Sequence, residues 1–98
     1  MKRRDVLGLL LALIVPSIGS SQPTVTMYGT SRCPYCRQAR VFFGRNNIVY
    51  FDYDIEKDFD AAARFKRLGG HGVPLIVVGN TIVYGFNENR LKQLLSIN

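Results

Sequence analysis

Two cysteines stand three residues apart where a short apolar alternation gives way to a helical pattern, and that junction limits what the chain can fold into. Cys33-Pro34-Tyr35-Cys36 holds the only cysteines of the sequence. Ahead of it, Val25-Thr26-Met27-Tyr28 alternates as a strand does and is closed by Gly29-Thr30-Ser31-Arg32. Behind it, a helical pattern runs to about Asn46. The order predicts a strand, a turn and a helix, with Cys33 at the mouth of the helix. That placement within a β-α-β pattern points to dithiol redox chemistry.

The chemistry needs this geometry. Unpaired backbone N–H groups and the helix macrodipole favour negative charge at a helix N-terminus. A cysteine there, in a C-x-x-C pair, ionises more readily than a free thiol, and the thiolate is the nucleophile. Arg32 and Arg37 flank the motif and push the same way, screened by solvent. Pro34 falls in the first helical turn, where its missing N–H costs little. Cys36 lies a turn further in, placed to attack a mixed disulfide made by Cys33. Cys33 is therefore read as the attacking thiol and Cys36 as the resolving one.

Other uses of two cysteines fit less well. A closed structural zinc site needs four ligands, and the chain offers one histidine, His71, beyond the pair. A purely structural bridge over so short a loop constrains the unfolded chain little. The expectation is a site with no metal and no bound cofactor.

The net charge of +6 is partly a property of the N-terminus. Lys2, Arg3 and Arg4 against Asp5 give residues 1–21 a net +2, leaving +4 for the remainder. No basic motif interleaved with aromatics appears, so solvated helix surface fits better than a nucleic-acid stripe. A mild attraction for anionic substrates follows from the excess. At 98 residues with 47% apolar content, the chain makes one small domain with its own core.

Residues 1–21 have the shape of a secretory signal peptide: a basic start, the apolar run Val6 to Val15, then Pro16, Ser17, Gly19, Ser20 and Ser21. Cleavage after Gly19 or Ser21 fits the small residues, and Arg3-Arg4-Asp5-Val6-Leu7 partly resembles the twin-arginine export core. The run is short for a bilayer span, so an uncleaved anchor is the weaker option. The expected location is the bacterial periplasm or cell envelope, with membrane attachment if the leader is retained.

Residues 22–98 then read as the folded domain. Cys36, Ala39 and Phe43 form one helical stripe, broadened by Val41 and Phe42, with Arg37, Arg40 and Arg45 outside. Ile48 to Asp54 alternates as a second strand. Asp58 or Asp60 caps the next helix, whose Phe59, Ala62, Phe65 and Leu68 recur every three residues until Gly69-Gly70-His71-Gly72 stops it. Val73 to Val78, the turn Gly79-Asn80 and Thr81 to Tyr84 predict a hairpin. Asn87 caps a last helix with Leu91, Leu94 and Leu95 inward. The order is β-α-β-α-β-β-α, an α/β arrangement whose first unit is parallel.

On these motifs, residues 24–98 resemble a glutaredoxin, a small family of the thioredoxin fold. Cys33-Pro34-Tyr35-Cys36 resembles its dithiol active site. Gly72-Val73-Pro74 falls where the family has Thr-Val-Pro, with a cis proline facing the cysteines. Tyr84-Gly85-Phe86 resembles the glycine-containing turn before its last helix. The resemblance implies a four-stranded mixed sheet with helices on both faces. It also implies a thiol-disulfide oxidoreductase that reduces protein or glutathione mixed disulfides, with glutathione as co-substrate. Arg32, Tyr35, Val73, Pro74, Gly85, Phe86 and Asn87 are the implied substrate-binding residues. Partners would be disulfide-containing or glutathionylated proteins and a donor, either glutathione or a thioredoxin-reductase-like enzyme, acting on a monomer. Glutathione-binding members commonly carry Gly-Gly followed, a residue or so later, by one or two acidic residues at the third motif. Gly85-Phe86-Asn87-Glu88 is closer to the reductase-coupled branch.

Two further readings use the same pair: an envelope oxidase or isomerase, distinguished by reduction potential, and an iron-sulfur carrier, which Pro34 and Cys36 disfavour. His71 is read either as a proton acceptor near the proline loop or as a solvated loop residue.

Overall fold

The computed structural model describes residues 22–98, so the leader assigned to residues 1–21 lies outside the described residues. In chain order the elements are β1 (Val25–Gly29), α1 (Pro34–Arg45), β2 (Phe51–Asp54), α2 (Phe59–Arg67), β3 (Leu75–Val78), β4 (Thr81–Tyr84) and α3 (Glu88–Leu95). They build one four-stranded sheet in the order β2-β1-β3-β4. β1 runs parallel to β2 and antiparallel to β3, and β3 and β4 form the hairpin. This is the thioredoxin fold the motifs implied.

Strand alternation splits the core in two. Val25 and Met27 point to one face with Ile76, Val78 and Val83, where they meet Ala39, Phe42 and Phe43 of α1 and Leu91 and Leu95 of α3. Tyr28 and Leu75 point to the other, under Ala61 and Phe65 of α2. Helices thus cover both faces. The cross-strand partners Met27 and Ile76, and Ile76 and Val83, share the first face as the period of two requires. On the second face, Arg64 of α2 lies 4.7 Å from the Tyr53 ring centroid and its Nε donates to the Tyr28 hydroxyl at 3.3 Å.

Phe43 is the largest fully buried side chain, packed on Phe42 and on the Tyr50 ring. Phe43→Ala should cost about 3–5 kcal/mol. That is a large share of the stability of a domain this size, and it should show in urea or thermal unfolding. A loss under 1 kcal/mol would mean that the face rests on other contacts.

Three details depart from the sequence expectation. Val41 is 50% exposed, because it sits about 200° round the helix from Phe43 and so faces away from the sheet. Phe59 is 87% exposed, and the buried positions of α2 are Ala61 and Phe65. A repeat of three drifts about 60° per step on an α-helix, so Phe59 and Phe65 cannot share a face. Finally, the second strand opens at Phe51 rather than Ile48. Extending the parallel register back to Ile48 would set it opposite Pro23, which has no N–H. The Val49 backbone is instead paired by the Gln22 side-chain amide, at 2.8 and 3.1 Å.

Candidate active site

Among the described residues, each helix begins on a side chain that accepts a backbone N–H. For α2 it is Asp58, bonded from Ala61 N at 3.0 Å, and for α3 it is Asn87, bonded from Arg90 N at 3.0 Å. For α1 the same position is held by Cys33, in extended backbone, with its Sγ accepting from Cys36 N at 3.1 Å and Pro34 opening the helix. A sulfur replaces the usual oxygen at the mouth of the helix. The first turn carries no acidic residue to oppose a thiolate there.

Cys33 and Cys36 are joined as a disulfide, with Cα atoms 5.2 Å apart. Their surroundings differ. Cys33 keeps 9% of its surface exposed, whereas Cys36 is fully buried. An external sulfur therefore meets Cys33 first. Behind Cys36 the strand closes on Gly29, where a Cβ would stand 2.8 Å from Cys36 Sγ and 3.7 Å from Arg40 Nη2. The bare backbone is the space in which Cys36 sits.

Arg40, one turn beyond Cys36, donates through Nε to Asp52 Oδ2 at 2.7 Å and through Nη2 to the Thr30 carbonyl at 3.3 Å. Its bond to the Asp52 carboxylate raises the guanidinium above its ordinary value. One side chain thus ties α1 to β2 and to the loop that leads into the motif.

The expected binding residues divide. Tyr35, Gly85, Phe86 and Asn87 line one open depression of about 760 Å3 beside the disulfide helix, together with Tyr84 and Glu88. Tyr35 and Tyr84 are each 60% exposed and form its aromatic rim. Val73 packs against the cluster that holds both cysteines. It also lines a second hollow of about 480 Å3 with Thr30, Lys66 and His71. Pro74 follows a cis peptide bond, is fully buried, and accepts from Gly85 N at 2.8 Å through its carbonyl. Pro74 thereby anchors the Gly85 turn. Arg32 is exposed on the turn before Cys33 and lines neither hollow. His71 is exposed, with Nδ1 3.1 Å from the Gly69 carbonyl and its ring 6.4 Å from that of Tyr84.

Sequence reasoning passed over Gly29 and Arg40. A glycine closing a strand just before a buried cysteine is a signal for close approach; the Arg40–Asp52 pair left no signal in spacing. Among the described residues, no group of three or more His, Cys, Asp or Glu is placed to hold a metal ion. No helix of the described residues is long and apolar enough to cross a membrane.

Residues 25–83 match the family model described as Glutaredoxin. The chain is 36% identical over 73 residues to a glutaredoxin of Neisseria meningitidis, covering 71% of this chain and 86% of that one. The solved glutaredoxin of Archaeoglobus fulgidus superposes with a TM-score of 0.64 at 31% identity, over 74% of this chain and 85% of that one. A point mutant of a solved thioredoxin-like protein gives a TM-score of 0.73 at 30% identity, over 76% and 97%.

Proposed function

The chain belongs to the glutaredoxin family, and from that premise we propose that it reduces disulfides of proteins, or mixed disulfides of proteins with glutathione, through Cys33 and Cys36. One observation carries the reading: the sulfur that caps α1 is the reachable one, and the sulfur behind it is sealed.

In the reduced pair, Cys33 holds the thiolate, stabilised by the Cys36 N–H and by the helix end. It attacks one sulfur of the substrate disulfide and expels the other as a thiolate, which takes up a proton. Cys36, deprotonated, then attacks Cys33 Sγ. The second substrate sulfur leaves and is protonated in turn, and the internal disulfide closes. Two electrons pass from the pair to the substrate. Two molecules of glutathione return the dithiol, leaving as glutathione disulfide, or a reductase of the thioredoxin-reductase type supplies the electrons.

Tyr35 and Phe86 would cover the substrate backbone, and the free backbone beside Val73 would pair with it as an added strand. Asn87 and the start of α3 would face a substrate carboxylate. Glu88 already places an acid in that first turn, bonded to Lys92 Nζ at 3.3 Å, which weakens the site for a second carboxylate. This supports the reductase as the faster donor. Working as a monomer without a bound cofactor, the protein would act in the cell envelope, to which its basic, apolar and small-residue leader supports export.

Turnover of hydroxyethyl disulfide by the full chain tests the reading, with glutathione plus its reductase in one arm and thioredoxin reductase in the other. Turnover in either arm is the expected result. No turnover in both would overturn it.

A further inference from the structure

Arg37, Val41 and Arg45 follow one another a helical turn apart on the outer face of α1. With Phe42, Phe86 and Glu88 they line a groove of about 410 Å3 between α1 and the start of α3. Its floor is apolar: Val41 is half exposed, and Phe42 and Phe86 meet edge to face with centroids 5.9 Å apart. Its α1 wall is cationic, from Arg37 and Arg45, and Glu88 stands on the α3 side. Among the described residues no ion pair involves Arg37 or Arg45, whereas Glu88 is paired with Lys92 at 3.3 Å. Phe86 and Glu88 also line the depression beside Tyr35, so the groove continues the surface on which a substrate disulfide would rest.

We propose that this groove seats a segment of the disulfide-bearing protein substrate in which an apolar side chain is flanked by Asp or Glu. The apolar side chain lies on Val41, Phe42 and Phe86, and the carboxylates meet Arg37 and Arg45. A tripeptide-sized disulfide fills only the depression beside Tyr35, so the groove distinguishes protein substrates from small ones. The net charge of +4 over residues 22–98 draws an acidic partner in the same direction. The inference rests on the reductase reading above and names which of its substrates it prefers.

The test uses the full chain and three disulfides: hydroxyethyl disulfide and two peptides of equal length, one with Asp-Leu-Glu and one with Lys-Leu-Lys beside the disulfide. At low salt, kcat/KM for the acidic peptide should exceed that for the basic one by roughly tenfold, the scale of two exposed charge contacts. The margin should shrink in 0.5 M salt, where roughly a 4–5 Å screening length applies. Arg45→Glu should cut the preference roughly fivefold and leave hydroxyethyl disulfide turnover unchanged. Val41→Ser should slow both peptides and spare the small disulfide.

Turnover of the small disulfide with no peptide preference overturns the inference alone. Failure on all three substrates overturns the reductase reading and the inference with it. An equal fall on all three in Arg45→Glu overturns it too, since Arg45 would then serve the fold or the chemistry. A dimer that Arg45→Glu dissociates would place a second copy in the groove and also overturn it.

Discussion

Cys33→Ser should abolish turnover, by more than about a thousandfold, because a serine hydroxyl is not ionised at neutral pH and cannot form a disulfide with the substrate. The substitution leaves the fold in place. Serine is among the preferred residues at a helix N-terminus, and its oxygen can take the Cys36 N–H that Cys33 Sγ now accepts at 3.1 Å. Chemistry and stability are thus separated at one atom. Cys36→Ser should differ in kind: attack by Cys33 still occurs, so glutathione mixed disulfides are still turned over, while protein disulfides stall as a trapped adduct. Steady-state rates on both substrate classes, with mass spectrometry of the adduct, check this. Equal activity in the two serine variants would remove the assigned division of labour.

Gly29→Ala should shift the redox equilibrium while leaving both cysteines in place. The added methyl stands 2.8 Å from Cys36 Sγ and 3.4 Å from Cys36 Cβ. Cys36 is fully buried beside Ala39 and Phe43, so it has nowhere to retreat while it is tied to Cys33. Overpacking of this kind costs about 1–3 kcal/mol. In the dithiol the sulfur is free to rotate, so most of that cost falls on the disulfide form. The sign follows: the oxidised state is disfavoured and the pair becomes more oxidising, by about 20–60 mV at 30 mV per 1.4 kcal/mol. Equilibration against glutathione redox buffers measures it. An unchanged potential would show that the backbone yields there and that the space behind Cys36 is not held by Gly29.

Much of this site could be read from residue order. Cysteine at the mouth of a helix, proline at its first position and asparagine before the last helix are local signals, each set by which backbone groups lack a partner. The parallel first unit and the β3–β4 hairpin followed from the crossover that α1 makes and from the turn Gly79-Asn80, whereas the antiparallel pairing of β1 with β3 that joins them had no local signal. What escaped was the facing of single side chains where the apolar pattern runs wider than one stripe. A recurrence of three puts Phe59 inward and a widened stripe puts Val41 there, although their angular positions on α2 and α1 turn them to solvent. Two features depend on tertiary approach and have no period to reveal them: the space at Gly29 and the grip of Arg40 on Asp52. The spread of Arg32 and Val73 away from the depression shared by Tyr35, Gly85, Phe86 and Asn87 likewise needed coordinates.

The atom proposed to start the chemistry is also the one on which the first turn of α1 is fastened. Alkylation of Cys33, or its over-oxidation to a bulky acid, should therefore do two kinds of damage at once: it would silence the nucleophile and take away the acceptor of the Cys36 N–H.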